Sequence, residues 1–335
     1  MTFRFFKRSG NKVYSKEEKM MLGIAIGDAF GAGYEMVPRY KVKSYLNLTK
    51  YSRRKKWKEG MYTDDTQMSL AVVELLISKE DFTKENLADY FIKVYKRDTR
   101  GGYSGAMGRL LKRCQTGKDL IKIREIGSKK IKETNFKGGK CGNGAAMRAV
   151  PIGILPNIKD VIKYAKLNAE ITHNMPAGIA SSVGVACASH YFYYNLGEPK
   201  KVIDFCIKNI KGIDNETIDY LQRIKEMDEL IPEILFGESA VNFGVLCDGM
   251  KTLGAILYIL ARYSDSPFNS LIEAVKLGGD ADSTACIALG IASMNNNFDD
   301  LPKFLLNKLE NGKFGKDYLI KLGKSLHECI VDKKV

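Results

Sequence analysis

The sequence predicts an all-α protein, and three observations carry that prediction. Apolar residues recur at helical spacing along most of the chain, capping residues precede the best of those runs, and convincing alternating strands are scarce. The first helix opens at Ser15-Lys16-Glu17-Glu18, a capping box in which serine and glutamate each satisfy a free amide of the first turn. It runs on through Met21, Leu22, Ala25 and Ala29. Gly23, Gly27 and Gly31 repeat every fourth residue on one of its faces. Glycine weakens a helix, so such a stripe implies another backbone, or a ligand, packed very close. Behind a Thr83 cap, Leu87, Tyr90, Phe91, Val94 and Tyr95 fall at i, i+3, i+4, i+7 and i+8. The same pattern places helices over 66–79, 160–170, 176–195, 200–210, 215–228, 250–263, 269–277, 281–294, 302–310 and 317–332. Gly, Pro and Asn gather at 98–108, 134–156 and 172–178, which read as loops and not as an interdomain linker. There is no solenoid repeat and no low-complexity tract.

Composition narrows the function. The chain of 335 residues is 45% hydrophobic and 27% charged, which excludes wholesale disorder, and its length alone suggests about two domains. No apolar run reaches the ~18 residues that a membrane helix needs. The start, MTFRFFKRSGNK, is basic without the apolar stretch of a secretory signal, so the expectation is an intracellular, cytoplasmic protein away from membranes. The seven cysteines are scattered without a CxxC pair, which fits neither a disulfide framework nor a zinc site. With only three histidines, any metal would be held mainly by oxygen.

The net charge of +14 is uneven: residues 1–60 carry 15 Lys/Arg and 5 Asp/Glu, hence +10 of it. Its densest piece, Arg53-Arg54-Lys55-Lys56-Trp57-Lys58, fits nucleic acid, a nuclear address, an anionic ligand or simply a solvated basic face.

A theme recurs early and late in the chain. Thr63-Asp64-Asp65-Thr66 precedes the helical run Met68–Leu76, and Gly278-Gly279-Asp280-Ala281-Asp282-Ser283-Thr284 precedes Ala285–Ala292. Each puts carboxylates at a helix mouth, where free amides and the dipole favour anions; either alone reads equally well as an N-cap with a spare acid. Together, four carboxylates with hydroxyls beside them form the oxygen-rich set that Mg²⁺ or Mn²⁺ requires. Their mutual repulsion calls for one or two ions if they converge, and adjacent aspartates can serve two metals about 3.5–4 Å apart. Convergence would place residues near 64 beside those near 281 and close the chain as one domain, 15–330, after a basic segment, 1–14.

Five motifs in order resemble the ADP-ribosylglycohydrolase family, which includes the enzyme that removes ADP-ribose from dinitrogenase reductase. They are Gly27-Asp28-Ala29-Phe30-Gly31 followed by Glu35; Tyr62–Thr66; Gly142-Asn143-Gly144-Ala145-Ala146-Met147-Arg148; Ile171-Thr172-His173; and Gly278–Thr284. The resemblance implies a single-domain orthogonal helix bundle around a central cleft with two Mg (or Mn) ions. It implies Thr63, Asp64 and Asp65 as metal ligands from one side and Asp280, Asp282 and Ser283 from the other, with Ser283 standing where the family usually has threonine. Glu35 falls on the family's gating or acid/base carboxylate, and Asp65 or Asp282 is the candidate to take a proton from water. The loop around Ser104, Gly105, Ala106 and Met107 matches the pyrophosphate cradle. Gly142, Asn143 and Gly144 match the distal-ribose side, with Met147 behind them, and His173 faces substrate. The Asn295-Asn296-Asn297 run departs from the family's usual helix end. The function implied is metal-dependent release of ADP-ribose from a modified protein. An ADP-ribose-binding protein without turnover, and a hydrolase of another ADP-ribose compound such as ADP-ribosylated nucleic acid, are the alternatives; only the basic first 60 residues speak for the last.

Overall fold

A computed structural model describes residues 13–52, 58–133 and 141–332. Most of the basic 1–14 segment and of the 53–58 run therefore lies outside the described residues. Among those described, helices account for all regular structure apart from two isolated bridges, Val37 to Gly279 and Val245 to Gly279. In chain order they are α1 (Lys16–Gly31), α2 (Arg39–Tyr45), α3 (Asp64–Ile77), α4 (Lys84–Arg97), α5 (Gly105–Arg113), α6 (Gly117–Glu133), α7 (Gly144–Met147), α8 (Ile158–Thr172) and α9 (Pro176–Tyr193). There follow α10 (Val202–Ile210), α11 (Asn215–Lys225), α12 (Pro232–Leu235), α13 (Gly249–Tyr263), α14 (Pro267–Lys276), α15 (Ala281–Ala292), α16 (Lys303–Asn307) and α17 (Lys316–Asp332).

The capping logic of the sequence holds. Glu18 N donates to Ser15 Oγ at 3.2 Å while Ser15 N donates to Glu18 Oε2 at 2.7 Å, closing the box at the start of α1. Thr83 Oγ1 accepts from Asn86 N at 3.2 Å and opens α4, whose Leu87, Tyr90, Phe91 and Val94 are buried. The stripe on α1 meets a backbone: a Cβ on Gly27 would lie 2.3 Å from the Ala285 carbonyl oxygen, and one on Gly31 2.4 Å from that of Ala281. Thus α1 lies directly on α15, and this contact sets the mouth of α15 beside the end of α1. Helices α3 and α17 pack on α1; α13 and α14 pack on α15; and α9 joins α8, α10 and α13.

Several expectations need correction. The stretch 98–108 is not loop throughout, since Ser104 Oγ accepts from Met107 N and starts α5 at Gly105. In 134–156 the described part contains α7 and a 3-10 turn over Val150–Ile154, short elements whose glycines and proline disguise them. Helices α2, α5 and α6 lie outside the helical ranges read from the sequence; α2 buries only Val42, so it has no apolar periodicity to read. The Asn295–Asn297 run closes α15, with Asn296 Nδ2 donating to the Ala292 and Ser264 carbonyls, both at 2.8 Å.

Candidate functional site

The two acid–hydroxyl motifs meet. Helix α3 packs against α15, and Ser283 and Asp282 lie near enough to the Asp65 carboxylate to act on it across the junction. Asp28 on α1 fixes the α3 side. Its carboxylate is fully buried and accepts from Thr63 N at 2.9 Å, Thr63 Oγ1 at 2.7 Å, Thr66 N at 2.9 Å and Thr66 Oγ1 at 2.6 Å. The free amides of a helix mouth are thereby satisfied by an aspartate from another helix. Because the Thr63 hydroxyl gives its hydrogen to Asp28, its lone pairs are turned to the side where Asp65 Oδ2 lies 3.4 Å away. On the α15 side, Asp280 N donates to Val245 O at 2.9 Å, Thr284 Oγ1 donates to Asp280 O at 2.7 Å, and Ser283 N donates to Asp282 Oδ1 at 3.0 Å.

All four expected acids are buried, Asp65 and Asp280 to 3% exposure. Burial pushes the Asp64, Asp65 and Asp282 carboxyls well above the usual range, and their neighbours add to it: Asp28 and Asp280 for Asp64, Asp64 and Asp28 for Asp65, Asp280 and Asp65 for Asp282. Burial also raises Asp28, against the four bonds that hold it charged. A cluster of buried acids costs stability unless something positive serves it. The buried Asp65 Oδ1 has no hydrogen-bond partner, and the carboxylates and hydroxyl that act on Asp65 are hard oxygen donors. That donor chemistry fits Mg²⁺ or Mn²⁺. The side chains are nonetheless not drawn into a finished cage: among the described residues no three His, Cys, Asp or Glu groups are gathered closely enough to hold an ion as they stand.

Three further segments carry the remaining expected residues. Asp64 N donates to Gly101 O at 3.0 Å, and Gly102 sits against the Asp64 carboxylate with φ of +101°, where a Cβ would come within 1.7 Å of Oδ1. Only glycine fits there. The loop that follows carries Ser104, Gly105 and Ala106, all exposed; the Met107 amide is already spent on the Ser104 cap. Asn143 lies beside the acids, its Nδ2 donating to Asp280 Oδ2 and to Thr252 Oγ1. Met147, in α7, is buried. The ring of His173 lies on Gly142 and Gly144: a Cβ at Gly144 would be 2.7 Å from Cε1, and one at Gly142 3.3 Å from Nε2. Glu35, partly buried, stands in the turn after α1, where Met36 N donates to Gly279 O at 2.7 Å and Gly279 N to Val37 O at 3.0 Å. Its backbone is thereby tied to the second acid motif. Two surface cavities of about 500 and 750 Å³, one around Tyr14 and Phe298 and one around Phe82 and Asn157, contain none of these acids. Their walls hold no comparable group of buried carboxylates.

Three contributors were not singled out from the sequence. Asp28 was visible only as one letter of a glycine motif. Cys247, exposed as a residue, has its thiol beside Asp280, and partial shielding of that thiol, then Asp280, pushes it up; nothing in its sequence neighbourhood marks it. Arg148 is a guanidinium buried to 2% exposure behind the Gly142–Gly144 loop.

His173 provides a pH test. Burial, then the Arg148 and Arg124 cations, lower it to about 3, so it is neutral near pH 7. A depressed histidine contributes stability that is present above the unfolded pKa of ~6.5 and lost as pH falls toward the folded value. Replacing His173 with Gln is expected to flatten the fall in unfolding free energy below pH 6.5 by up to ~1.4 kcal/mol per pH unit, read from urea melts at pH 7, 6 and 5. Equal slopes for the two proteins would mean that His173 is protonated in the fold.

Comparison with known proteins agrees with the geometry. The ADP-ribosylhydrolase ARH3 of Mus musculus is 26% identical over 328 residues, covering 88% of this chain and 87% of the mouse protein. The ADP-ribosyl-[dinitrogen reductase] glycohydrolase of Rhodospirillum rubrum is 25% identical over 308 residues, covering 90% and 92%. A solved structure described as an ADP-ribosylglycohydrolase-related protein complex superposes with a TM-score of 0.59 at 21% identity over 94% of this chain and 98% of that one, a likeness of fold. The family model for ADP-ribosylglycohydrolase matches residues 9–334, so the acid cluster, the glycine loops around it and the helices that hold them lie inside one family match, and the chain belongs to the ADP-ribosylglycohydrolase family of enzymes.

Proposed function

We propose that this enzyme releases ADP-ribose from a modified protein side chain by hydrolysis at the anomeric carbon, with one or two Mg²⁺ or Mn²⁺ ions in the acid cluster. The observation that carries the reading is the meeting of the two motifs in a buried set of carboxylates with an unpartnered Asp65 oxygen. Thr63, Asp64 and Asp65 would hold the ions from α3, and Asp280, Asp282 and Ser283 from α15. Bound there, the ions supply charge stabilisation and a more acidic water. The protein's own groups do the rest. Asp28 keeps the Thr63 hydroxyl and the mouth of α3 aimed into the cluster. Asn143 holds Asp280, and Asp65 or Asp282 takes the proton of the attacking water. Glu35 protonates the leaving group or orients it. The exposed amides of Gly105 and Ala106 face the pyrophosphate, and His173 donates toward a ribose over the Gly142–Gly144 loop. The name of the Rhodospirillum rubrum relative, an ADP-ribosylated reductase's glycohydrolase, supports a protein acceptor.

One observation favours a second acceptor, nucleic acid. On α2, just after Glu35, Tyr40 and Tyr45 are exposed to 66% and 62% between Arg39, Lys41 and Lys43, with no acid in the helix. Basic and aromatic side chains alternating at a site's rim suit an unpaired, anionic chain. Single-turnover release from arginine-, serine- and nucleic-acid-linked ADP-ribose, assayed side by side, separates the readings. Release from one protein linkage at a rate at least tenfold above nucleic acid is expected. Binding of ADP-ribose with no release from any of the three would make the protein a binding module. Glu35→Gln is expected to slow that release about 10²-fold, and an unchanged rate removes Glu35 from the mechanism.

A further inference from the structure

Behind the Gly142–Gly144 loop lies a buried cation that, among the described residues, makes no ion pair with a carboxylate. Arg148 donates from Nε to Asn168 Oδ1 at 2.6 Å, from Nη1 to Gly144 O at 2.6 Å, and from Nη2 to Asn168 O at 3.0 Å and Thr172 Oγ1 at 2.8 Å, with Phe91's ring 4.4 Å from its Cζ. The hydroxyl of Thr172, itself buried, lies 2.7 Å from His173 Nδ1. A guanidinium only donates, so Thr172 Oγ1 must accept from it. The hydroxyl keeps one hydrogen of its own, and a buried donor needs an acceptor. Among the described residues the acceptor at hand is His173 Nδ1. The adjacent positive charge also makes that hydroxyl a better donor and a poorer acceptor of a second bond. A lone pair at Nδ1 is what this arrangement asks for, and it leaves the ring proton on Nε2, which lies over Gly142. The lowering of His173 toward about 3 by burial and by Arg148 keeps the ring neutral, as the same arrangement requires.

We propose that Arg148 is a positioning residue: by donating to Thr172 Oγ1 it turns the Thr172 hydroxyl toward His173 Nδ1 and so fixes His173 as the tautomer protonated on Nε2, a permanent hydrogen-bond donor over the Gly142–Gly144 loop. That this donor meets the ADP-ribosyl group rests on the proposed function; the tautomer itself does not. The same arginine holds Gly144 O, so the donor and the loop beneath it, whose Asn143 steadies Asp280, share one anchor. A neutral donor with a fixed proton suits an uncharged ribose hydroxyl or a carbonyl, and does not alternate between donating and accepting as water exchanges.

Because the chain has three histidines, His173, His190 and His327, the tautomer is open to direct reading by long-range ¹H–¹⁵N spectra of the full chain labelled at histidine. In the wild type His173 is expected to carry its proton on Nε2 with Nδ1 bare from pH 6 to 8. Thr172→Val keeps the shape and removes the hydroxyl, and is expected to abolish that preference and raise KM for the cleaved ADP-ribosylated substrate about tenfold with a smaller change in kcat. Thr172→Ser, which keeps the hydroxyl, is expected to restore both readings. A proton on Nδ1 in the wild type overturns the proposal, as does a valine variant with an unchanged tautomer or an unchanged KM. If the wild type releases ADP-ribose from no acceptor, the proposed function fails while the spectra still decide the tautomer.

Discussion

Asp65→Ala is expected to lower kcat/KM for an ADP-ribosylated protein about 10³-fold while leaving the fold intact or slightly more stable. The two halves of that expectation have one cause. Asp65 is buried, close to Asp64, Asp28 and Asp280, with one carboxylate oxygen that no protein group serves. Such a residue is held against its own electrostatic interest, so removing it relieves repulsion where a structural residue would leave a hole. The melting temperature in EDTA should therefore hold or rise, and the rise in melting temperature on adding Mg²⁺ should shrink. A variant that melts well below the wild type in EDTA, or one that keeps a rate within threefold, would mean that Asp65 is structural.

Asp28→Ala should do the reverse, costing stability first and activity through it. Two amides and two hydroxyls lose their acceptor in a buried place, and each unsatisfied group costs ~1–3 kcal/mol, so a loss of about 4 kcal/mol is expected in urea unfolding. The gentler Asp28→Asn keeps the volume but turns a donor toward donors. It is expected to fold and to lose about 10- to 100-fold in rate, the usual effect of disturbing a group that orients a ligand. An Asn variant with full activity would show that the aim of Thr63 does not matter to the reaction.

How much of this was legible beforehand depended on periodicity and on repetition. The apolar stripe of α4, the capping box of α1 and the glycine stripe that brings α1 onto α15 all follow from rules within a few residues, and each appears where the sequence put it. The meeting of Thr63–Asp65 with Asp280–Ser283 was legible because the motif occurs twice: either alone reads as an N-cap with a spare acid, and the pair supplies the oxygen-rich set that a hard cation requires. By contrast α2 buries a single valine and α7 spans four residues, so neither carries a periodic signal, while α5, with Met107, Leu110 and Leu111 on its inner side, is short and begins inside a run of glycines that disguises it. The contacts of Asp28 and Arg148 are long-range and one-sided: Asp28 reaches Thr63 across 35 positions and Arg148 reaches Thr172 across 24. Nothing local to either residue announces its partner. Asn143, expected on the substrate side, bonds Asp280, a contact that only the fold reveals.

Dependence on a divalent cation is best measured as single-turnover release of free ADP-ribose from an ADP-ribosylated protein, in Mg²⁺, after EDTA, and after Mg²⁺ is restored. Release in Mg²⁺, its loss by at least 10²-fold in EDTA and its full return with added Mg²⁺ are expected if the joined acid motifs hold the ions that the reaction uses. Release that continues undiminished in EDTA would contradict a metal-dependent site.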